Sequence, residues 1–588
     1  MMKKVILAAL LMAALPQLAA AQVEKQVEVT KAYVPRVESA SKLAVEPDMT
    51  DTTQMRPEID YTITPLSLRT TLTTRPIRPA TVTYWEFNRP LPFYLKVGAG
   101  YPLNSVLDFY ATTQNPSTGY LMGYVNHEGR YADIRNDFGV ADNNSVQMKN
   151  RAGVAAGKYL GRHILEGELS YDNRMHHRYG AYATPGVKPL YVPGSMVDFG
   201  DANLMLRFGD EFQNLERTNF EVVLRGGMFF DHSEWPAANG DPGRQLSLEG
   251  YGRIARGFGR HMLSATLGYE YQMGEKAFEG TDQGQFHAAL RYGFRGGVVR
   301  LEVGADFYRD RVETAADPDP IVEIGNYLIP FAHLDFNLGT PGLKPFLEVD
   351  GCVDDNSLRS LMYRNPYVVS GWLDRSSVDY NGRFGLNGTL WNNRFSYRAY
   401  AGLTIHDNHV YWMAFRETTE DGAGTRSELF PGAFLPVMGR QTVTSFNGEI
   451  EYRPLSVLKF DLGVHGYAYN DEQKWSSGAP SFAGNFGARY EGRKIGFGVE
   501  ALLQSRRSWN VYEIETLSGS DGSADVRNYL SRMEVPFGVD LRVDFDWKIS
   551  NRIIFFAEGR NLINRRLYEF PWYPELGAHF TAGIKANF

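Results

Sequence analysis

Val539-Asp540-Leu541-Arg542-Val543-Asp544-Phe545-Asp546-Trp547-Lys548-Ile549 alternates without a fault. Side chains in a strand point to opposite faces with period two, so the six apolar residues share one face. Asp540, Arg542, Asp544, Asp546 and Lys548 share the other. Charges in an unbroken row suit either bulk water or a water-filled lumen. Length separates the two. Strands of soluble proteins usually run to about five or six residues, whereas a tilted membrane strand needs about 9–11.

The pattern recurs along the chain with no helical period between its copies. Leu263, Ala265, Leu267, Tyr269 and Tyr271 alternate with Ser264, Thr266, Gly268, Glu270 and Gln272. Val299, Leu301, Val303, Ala305 and Phe307 alternate with Arg300, Glu302, Gly304, Asp306 and Tyr308. Short turns at Gly161-Arg162, Arg295-Gly296-Gly297, Asn392-Asn393 and Ser550-Asn551 alternate with long connectors near 174–197, 233–243, 309–320, 353–376, 408–440 and 507–533. Outer-membrane barrels have this asymmetry, with short periplasmic turns and longer outer loops. The expectation is an all-β chain: a transmembrane antiparallel β-barrel of about 22 strands over residues 93–588, with Phe588 returning to the periplasm. Aromatic clusters at Tyr84-Trp85, Tyr411-Trp412 and Phe570-Pro571-Trp572-Tyr573 are expected to form interface girdles.

Composition agrees. Aromatic residues make up 13% of the 588 and there are 59 glycines, but past residue 22 no apolar run is long enough for a membrane-spanning helix. A propeller or a chain of sandwiches is the competing reading, and the strand lengths and alternating connectors tell against it. A net charge of −7 excludes nothing but a nucleic-acid partner.

At the N-terminus Lys3 and Lys4 precede the apolar Val5 to Leu15, Pro16-Gln17 break it, and Ala19-Ala20-Ala21 fits a cleavage site. Residues 1–21 therefore read as an export signal. Residues 22–92, rich in Thr and Pro, read as an extended periplasmic tail. Its acids crowd between Glu24 and Asp60, while Arg69, Arg75 and Arg78 lie in an acid-free stretch. These arginines either pair with a lumen lined by Glu302, Asp306, Asp540, Arg542, Asp544, Asp546 and Lys548 or stay solvated. The lone Cys352 has no partner for an internal disulfide, and alternation puts it on the lumen face with Lys344, Glu348 and Asp350.

The last strand runs from His579 to Phe588, with Phe580, Ala582, Ile584, Ala586 and Phe588 on one face. An aromatic last residue closing such a strand resembles the sorting signal read by the outer-membrane assembly machinery, carried here by Phe580, Ile584 and Phe588. Upstream stands Asn551-Arg552-Ile553-Ile554-Phe555-Phe556-Ala557-Glu558-Gly559-Arg560-Asn561-Leu562-Ile563-Asn564-Arg565-Arg566, then Tyr568-Glu569 and Gly577 to Phe588. This resembles the closing hairpin of TonB-dependent receptors, particularly those of Bacteroides-like bacteria. There a strand ending in Gly-Arg-Asn-Leu leads through an aromatic loop into a last strand ending in Phe. The resemblance implies a receptor-like barrel in the bacterial outer membrane. It departs from the family at the N-terminus, where the tail is shorter than the family's plug domain. Val27-Glu28-Val29-Thr30-Lys31-Ala32 is a weak match to an energy-coupling segment. The implied protein is a plugless receptor-like barrel, with TonB not counted among its partners.

Two functions follow. The first is passage or gating of a polar solute, the lumen being occupied by the tail 22–92, by inward-folded loops or by a partner, with loops or tail as the gate. The second is an accessory or scaffold barrel of an assembly or secretion complex, its tail recruiting periplasmic proteins and its loops holding surface lipoproteins. Either way the barrel would contact outer-membrane lipid and the assembly machinery. An enzyme on the outer wall would need a Ser/His pair, and the twelve histidines single out no strand-placed pairing, so no catalytic site is expected. His176-His177, beside Arg178, lack further ligands at useful spacing. Asp350-Gly351-Cys352-Val353-Asp354-Asp355 lacks EF-hand spacing and its closing Glu. Neither a metal nor a cofactor is expected. Phe415, Phe430 and Phe434 in 408–440 read as parts of a solvated loop.

Overall fold

The computed structural model describes residues 91–588, apart from short stretches within connectors such as 135–144, 234–242 and 421–425. Residues 1–90, where the export signal and most of the tail with Arg69, Arg75, Arg78 and Tyr84-Trp85 are expected, lie outside the described residues.

Numbered in chain order, the strands run from β1 (Phe93–Tyr101) to β27 (His579–Asn587). The main sheet has 25 of them. Three, β6 (Val187–Pro189), β21 (Arg507–Ser518) and β22 (Ala524–Val535), are additions beside the wall, which leaves 22 in a closed antiparallel barrel. The expected strand number holds.

β1 pairs with β27 from Tyr94↔Asn587 to Tyr101↔Phe580. Phe93 and Phe588 exchange backbone hydrogen bonds of 3.0 and 3.1 Å at the end of that seam. Closure satisfies the backbone groups that a sheet edge would leave bare in lipid. The seam is tight: a Cβ on Gly583 would stand 1.9 Å from the Val97 carbonyl oxygen. Leu169, Leu224, Leu267, Leu290, Leu328 and Phe384 are each more than half exposed and face outward. Such an apolar belt is the face a barrel gives to the acyl chains.

The connectors differ from the sequence reading in three places. Residues 408–440 are mostly not a loop. β16 (Phe395–Glu420) and β17 (Arg426–Leu455) continue as one hairpin of 26 and 30 residues, about two and a half to three times the length a bilayer needs. Residues 507–533 form the β21–β22 hairpin, which pairs in parallel with the outer half of β16 from Ala414↔Val511 to Glu420↔Leu517. β12 (Val299–Thr314) and β13 (Ile321–Phe336) are separated by only six residues, so the first half of 309–320 is strand. Strand continues above the membrane because neighbouring strands keep its hydrogen bonds satisfied. The aromatic clusters differ as well. Tyr411, Trp572 and Tyr573 are at most 3% exposed, so they form no girdle.

Candidate functional site

The connector between β14 (Lys344–Asp354) and β15 (Ser377–Leu390) turns into the barrel. It carries Leu358, Leu361 and Met362 at i, i+3, i+4 spacing behind Ser357, whose hydroxyl accepts the Ser360 N–H as an N-cap. The outcome is α1 (Leu358–Arg364). Its three apolar residues are fully buried against Val197 and Phe199 of β7 (Met196–Asp210), Phe229 of β8 (Asn219–Asp231), Val312 of β12 and Val410 of β16. One short helix thus touches strands far apart around the wall.

Polar ties fix it. Arg359 Nη2 lies 2.7 Å from Asp201 Oδ2, and the Tyr363 hydroxyl donates to the same oxygen at 3.2 Å. The Arg359 N–H donates to Gln245 Oε1, Ser370 to Asp231 and Ser376 to Asp310, at 2.7–2.9 Å. The Arg174 guanidinium sits 4.5 Å over the Tyr363 ring.

Beyond α1 the chain reaches the opposite side. Tyr367 stacks on Tyr573 at 3.6 Å between centroids. Tyr573 belongs to the connector between β24 (Ile553–Arg560) and β27, and its hydroxyl donates to the Gly432 carbonyl at 2.9 Å. Phe434 of β17 exchanges backbone hydrogen bonds with this segment, donating to the Tyr367 carbonyl and accepting from Val369 N–H. Burial holds the Tyr367 and Tyr573 phenols above their ordinary range, so both stay neutral donors. The segment 355–376 and the closing connector together roof the lumen.

Beneath the roof lies a cavity of about 510 Å³. Pro366 and Tyr367 cap it, Glu569 and Glu575 come from the closing connector, and charged wall residues continue downward to Asp546 and Lys585. Arg542 pairs with Asp540 at 2.6 Å, Arg489 with Asp544 at 2.8 Å and Lys585 with Asp546 at 2.7 Å.

No family model and no curated relative matches this sequence. Solved structures do. The FrpB iron transporter from Neisseria meningitidis matches over 85% of this chain and 82% of its own, with 10% identity and a TM-score of 0.62. The siderophore receptor PirA from Acinetobacter baumannii matches over 84% and 80%, with 8% identity and a TM-score of 0.61. FpvA of P. aeruginosa, bound to heterologous pyoverdines, matches over 85% and 72%, with 12% identity and a TM-score of 0.60. The chain has the fold of an outer-membrane receptor barrel. At such identities the likeness is one of fold.

The receptor-like barrel distributes the residues singled out from sequence among separate places. Asp540, Arg542, Asp544 and Asp546 share the cavity under the roof. Lys548 does not reach it and donates to the Gly492 carbonyl at a short turn. Glu302 lines another cavity, of about 610 Å³, with Arg300 and His333. Asp306 is buried against Arg291 at 2.8 Å. Phe580, Ile584 and Phe588 are about half exposed on the outward side of β27. Phe434 is fully buried and Phe415 nearly so, against the reading of a solvated loop. Cys352 lies 3.7 Å from Asp354, near Asp379.

Sequence reasoning allowed for inward-folded loops but did not single out segment 355–376, although Ser357-Leu358-Arg359-Ser360-Leu361-Met362 carried a capped apolar period unsuited to a solvated loop. It also missed a Ser/His pair on the outer wall: Ser105 Oγ and His127 Nε2 stand 2.9 Å apart.

Proposed function

We propose that this receptor-like barrel passes a polar solute across the outer membrane, with segment 355–376 as its gate. The observation that carries the reading is the roof, one connector crossing the lumen above a charged cavity. A 22-stranded wall encloses a lumen wide enough for a plug, so some element must close it. Here the chain's own connector does so. Burial of Leu358, Leu361 and Met362 favours the closed state by about 1.5–3 kcal/mol each. Opening therefore needs a solute or partner that binds the open state better. Charged walls suit polar solutes and set their selectivity. The arginines of the tail, Arg69, Arg75 and Arg78, are proposed to meet acids of the wall from the periplasmic mouth. Liposome swelling tests the reading. Arg359→Ala and Tyr367→Ala variants should admit small sugars and amino acids that the unaltered barrel excludes. Equal exclusion by all forms would remove the gate.

A second reading, the scaffold, is favoured by the extramembrane sheet. β22 presents Val526, Tyr529 and Leu530 to solvent beside the long β16–β17 hairpin. Exposed edge strands of this kind accept a partner's strand, as a surface lipoprotein could supply.

A further inference from the structure

The Ser/His pair on the outer wall belongs to a longer chain of hydrogen bonds. Ser105 of β2 (Asn104–Thr112), His127 of β3 (Gly119–Arg130) and Asn150 of β4 (Gln147–Leu160) lie on neighbouring strands. Ser105 Oγ is 2.9 Å from His127 Nε2, and His127 Nδ1 is 2.7 Å from Asn150 Oδ1. Asn150 Nδ2 donates to Asn173 Oδ1 at 3.2 Å, and Asn173 Nδ2 donates to the Asp198 carboxylate at 2.7 Å. All five residues share the outward rows of Val125, Val154, Leu169 and Leu204, which are exposed.

The carboxylate at the far end fixes the direction of every link. Asp198 only accepts, so Asn173 turns its amide nitrogen towards it and its oxygen towards Asn150. Asn150 must then present its own oxygen to His127, which places the imidazole proton on Nδ1. Nε2 is left as the acceptor, facing the Ser105 hydroxyl. A nucleophile, a base in the correct tautomer and a group orienting that base are the three parts of an acyl-transfer site.

A fourth group completes the geometry. The Tyr131 hydroxyl lies 3.3 Å from Ser105 Oγ and 3.1 Å from His127 Nε2. It occupies space that any side chain at position 129 would take, since a Cβ on Gly129 would stand 2.3 Å from that oxygen. A donor beside the nucleophile can stabilise the oxyanion of a tetrahedral intermediate.

We propose that Ser105, His127 and Asn150 form an acyl-ester hydrolase site on the lipid-facing wall, with membrane lipid as its substrate. The position argues for lipid, because the site faces outward near the exposed Tyr101 and Leu103 at the outer end of the wall. Ser105 Oγ attacks the ester carbonyl while its proton passes to His127 Nε2. The tetrahedral intermediate, its oxyanion held by Tyr131, expels the lipid alkoxide, which leaves with that proton. Water then attacks the acyl-serine, giving a proton to His127, and the fatty acid departs as the proton returns to Ser105. Ser105, His127 and Tyr131 are catalytic, whereas Asn150 is a positioning residue that holds the tautomer.

The test uses the full chain reconstituted in phosphatidylethanolamine vesicles, with fatty-acid release and labelling by a fluorophosphonate probe as readouts. Release is expected, with the probe mapped to Ser105 by mass spectrometry. Ser105→Ala should abolish both signals, and His127→Asn should lower release by about 1,000-fold or more. Asn150→Ala should lower release by about 10- to 100-fold and redistribute the imidazole tautomers seen by ¹⁵N NMR, with Asn150→Asp restoring both. Folding of each variant is read from heat-modifiable migration, and Ser170→Ala, on the inward face, is the control that should change nothing. Vesicles without release and a probe that leaves Ser105 unlabelled would overturn the proposal, as would release undiminished in Ser105→Ala.

Discussion

Tyr367 and Tyr573 stack face to face, 3.6 Å between ring centroids and 15° between planes, and so join a connector of the middle of the chain to the last connector before the closing strand. The two residues are 5% and 2% exposed, beside Tyr179, Phe434 and Phe570. This contact converts two loops into one roof.

Tyr367→Ala should therefore loosen the roof and spare the wall. Truncating a buried aromatic costs about 3–5 kcal/mol where the gap cannot collapse. The expected outcome is faster proteolysis within 355–376, with unchanged heat-modifiable migration of the barrel. Loss of the folded barrel itself would show that the roof supports the wall rather than resting on it.

Asp201 and Arg359 should act as a unit. Asp201 is 1% exposed, and Arg359 ties it to α1 while Tyr363 shares the same oxygen. Loss of either partner should weaken the roof by about 1.5–3 kcal/mol, the range for a hydrogen bond to a charged group. The double variant should cost little more than Asp201→Ala alone, which a double-mutant cycle on protection of 355–376 would read. Fully additive effects would separate the two residues.

Acid should tighten the closing connector. Burial, and then the neighbouring Glu569, raise Glu575 above the usual carboxylate range, with Asp540 adding to the shift and Arg130 and Arg542 opposing it. A carboxyl with a raised folded-state value contributes stability that is complete below its unfolded value. That contribution is lost as pH rises through the folded value. Protection factors over 568–576, that is, hydrogen exchange corrected for the intrinsic pH dependence of amide exchange, should be higher in mildly acid buffer than at neutral pH, and Glu575→Gln should remove most of the difference. A pH dependence that survives the substitution would assign it elsewhere.

Gly583→Val should block closure of the barrel. The 1.9 Å approach to the Val97 carbonyl leaves no room on that seam, and the neighbouring strand is backbone rather than a mobile side chain. The fraction of chain reaching the heat-modifiable state in outer membranes should fall sharply. Phe588→Ala should also lower that fraction, if less steeply, because it removes the 5.3 Å ring contact with Phe93 and keeps the seam's backbone pairing.

The wall was legible because period-two alternation runs through many of the membrane-crossing strands and connector lengths alternate. Val539 to Ile549 shows this well. What lay hidden depends on register. Ser105, His127 and Asn150 meet only because the β2–β3 and β3–β4 pairings bring residues more than twenty positions apart onto one row, and turn lengths alone do not set that register. The partners of α1, Asp201, Gln245 and Asp310, look from sequence like any other polar residues lining a lumen. Residues 408–440 read as a loop because a strand that crosses the bilayer needs only about 9–11 residues, a length that says nothing of sheet above the membrane.

Single-channel conductance in planar bilayers tests the central claim most directly, comparing the full chain with a variant whose residues 357–374 are replaced by a short Gly-Ser linker and with one lacking 22–92. The account predicts a closed full chain and large ohmic currents once 357–374 are gone. Silence in that variant, with currents appearing only on removal of the tail, would contradict it and place the closure in residues 22–92.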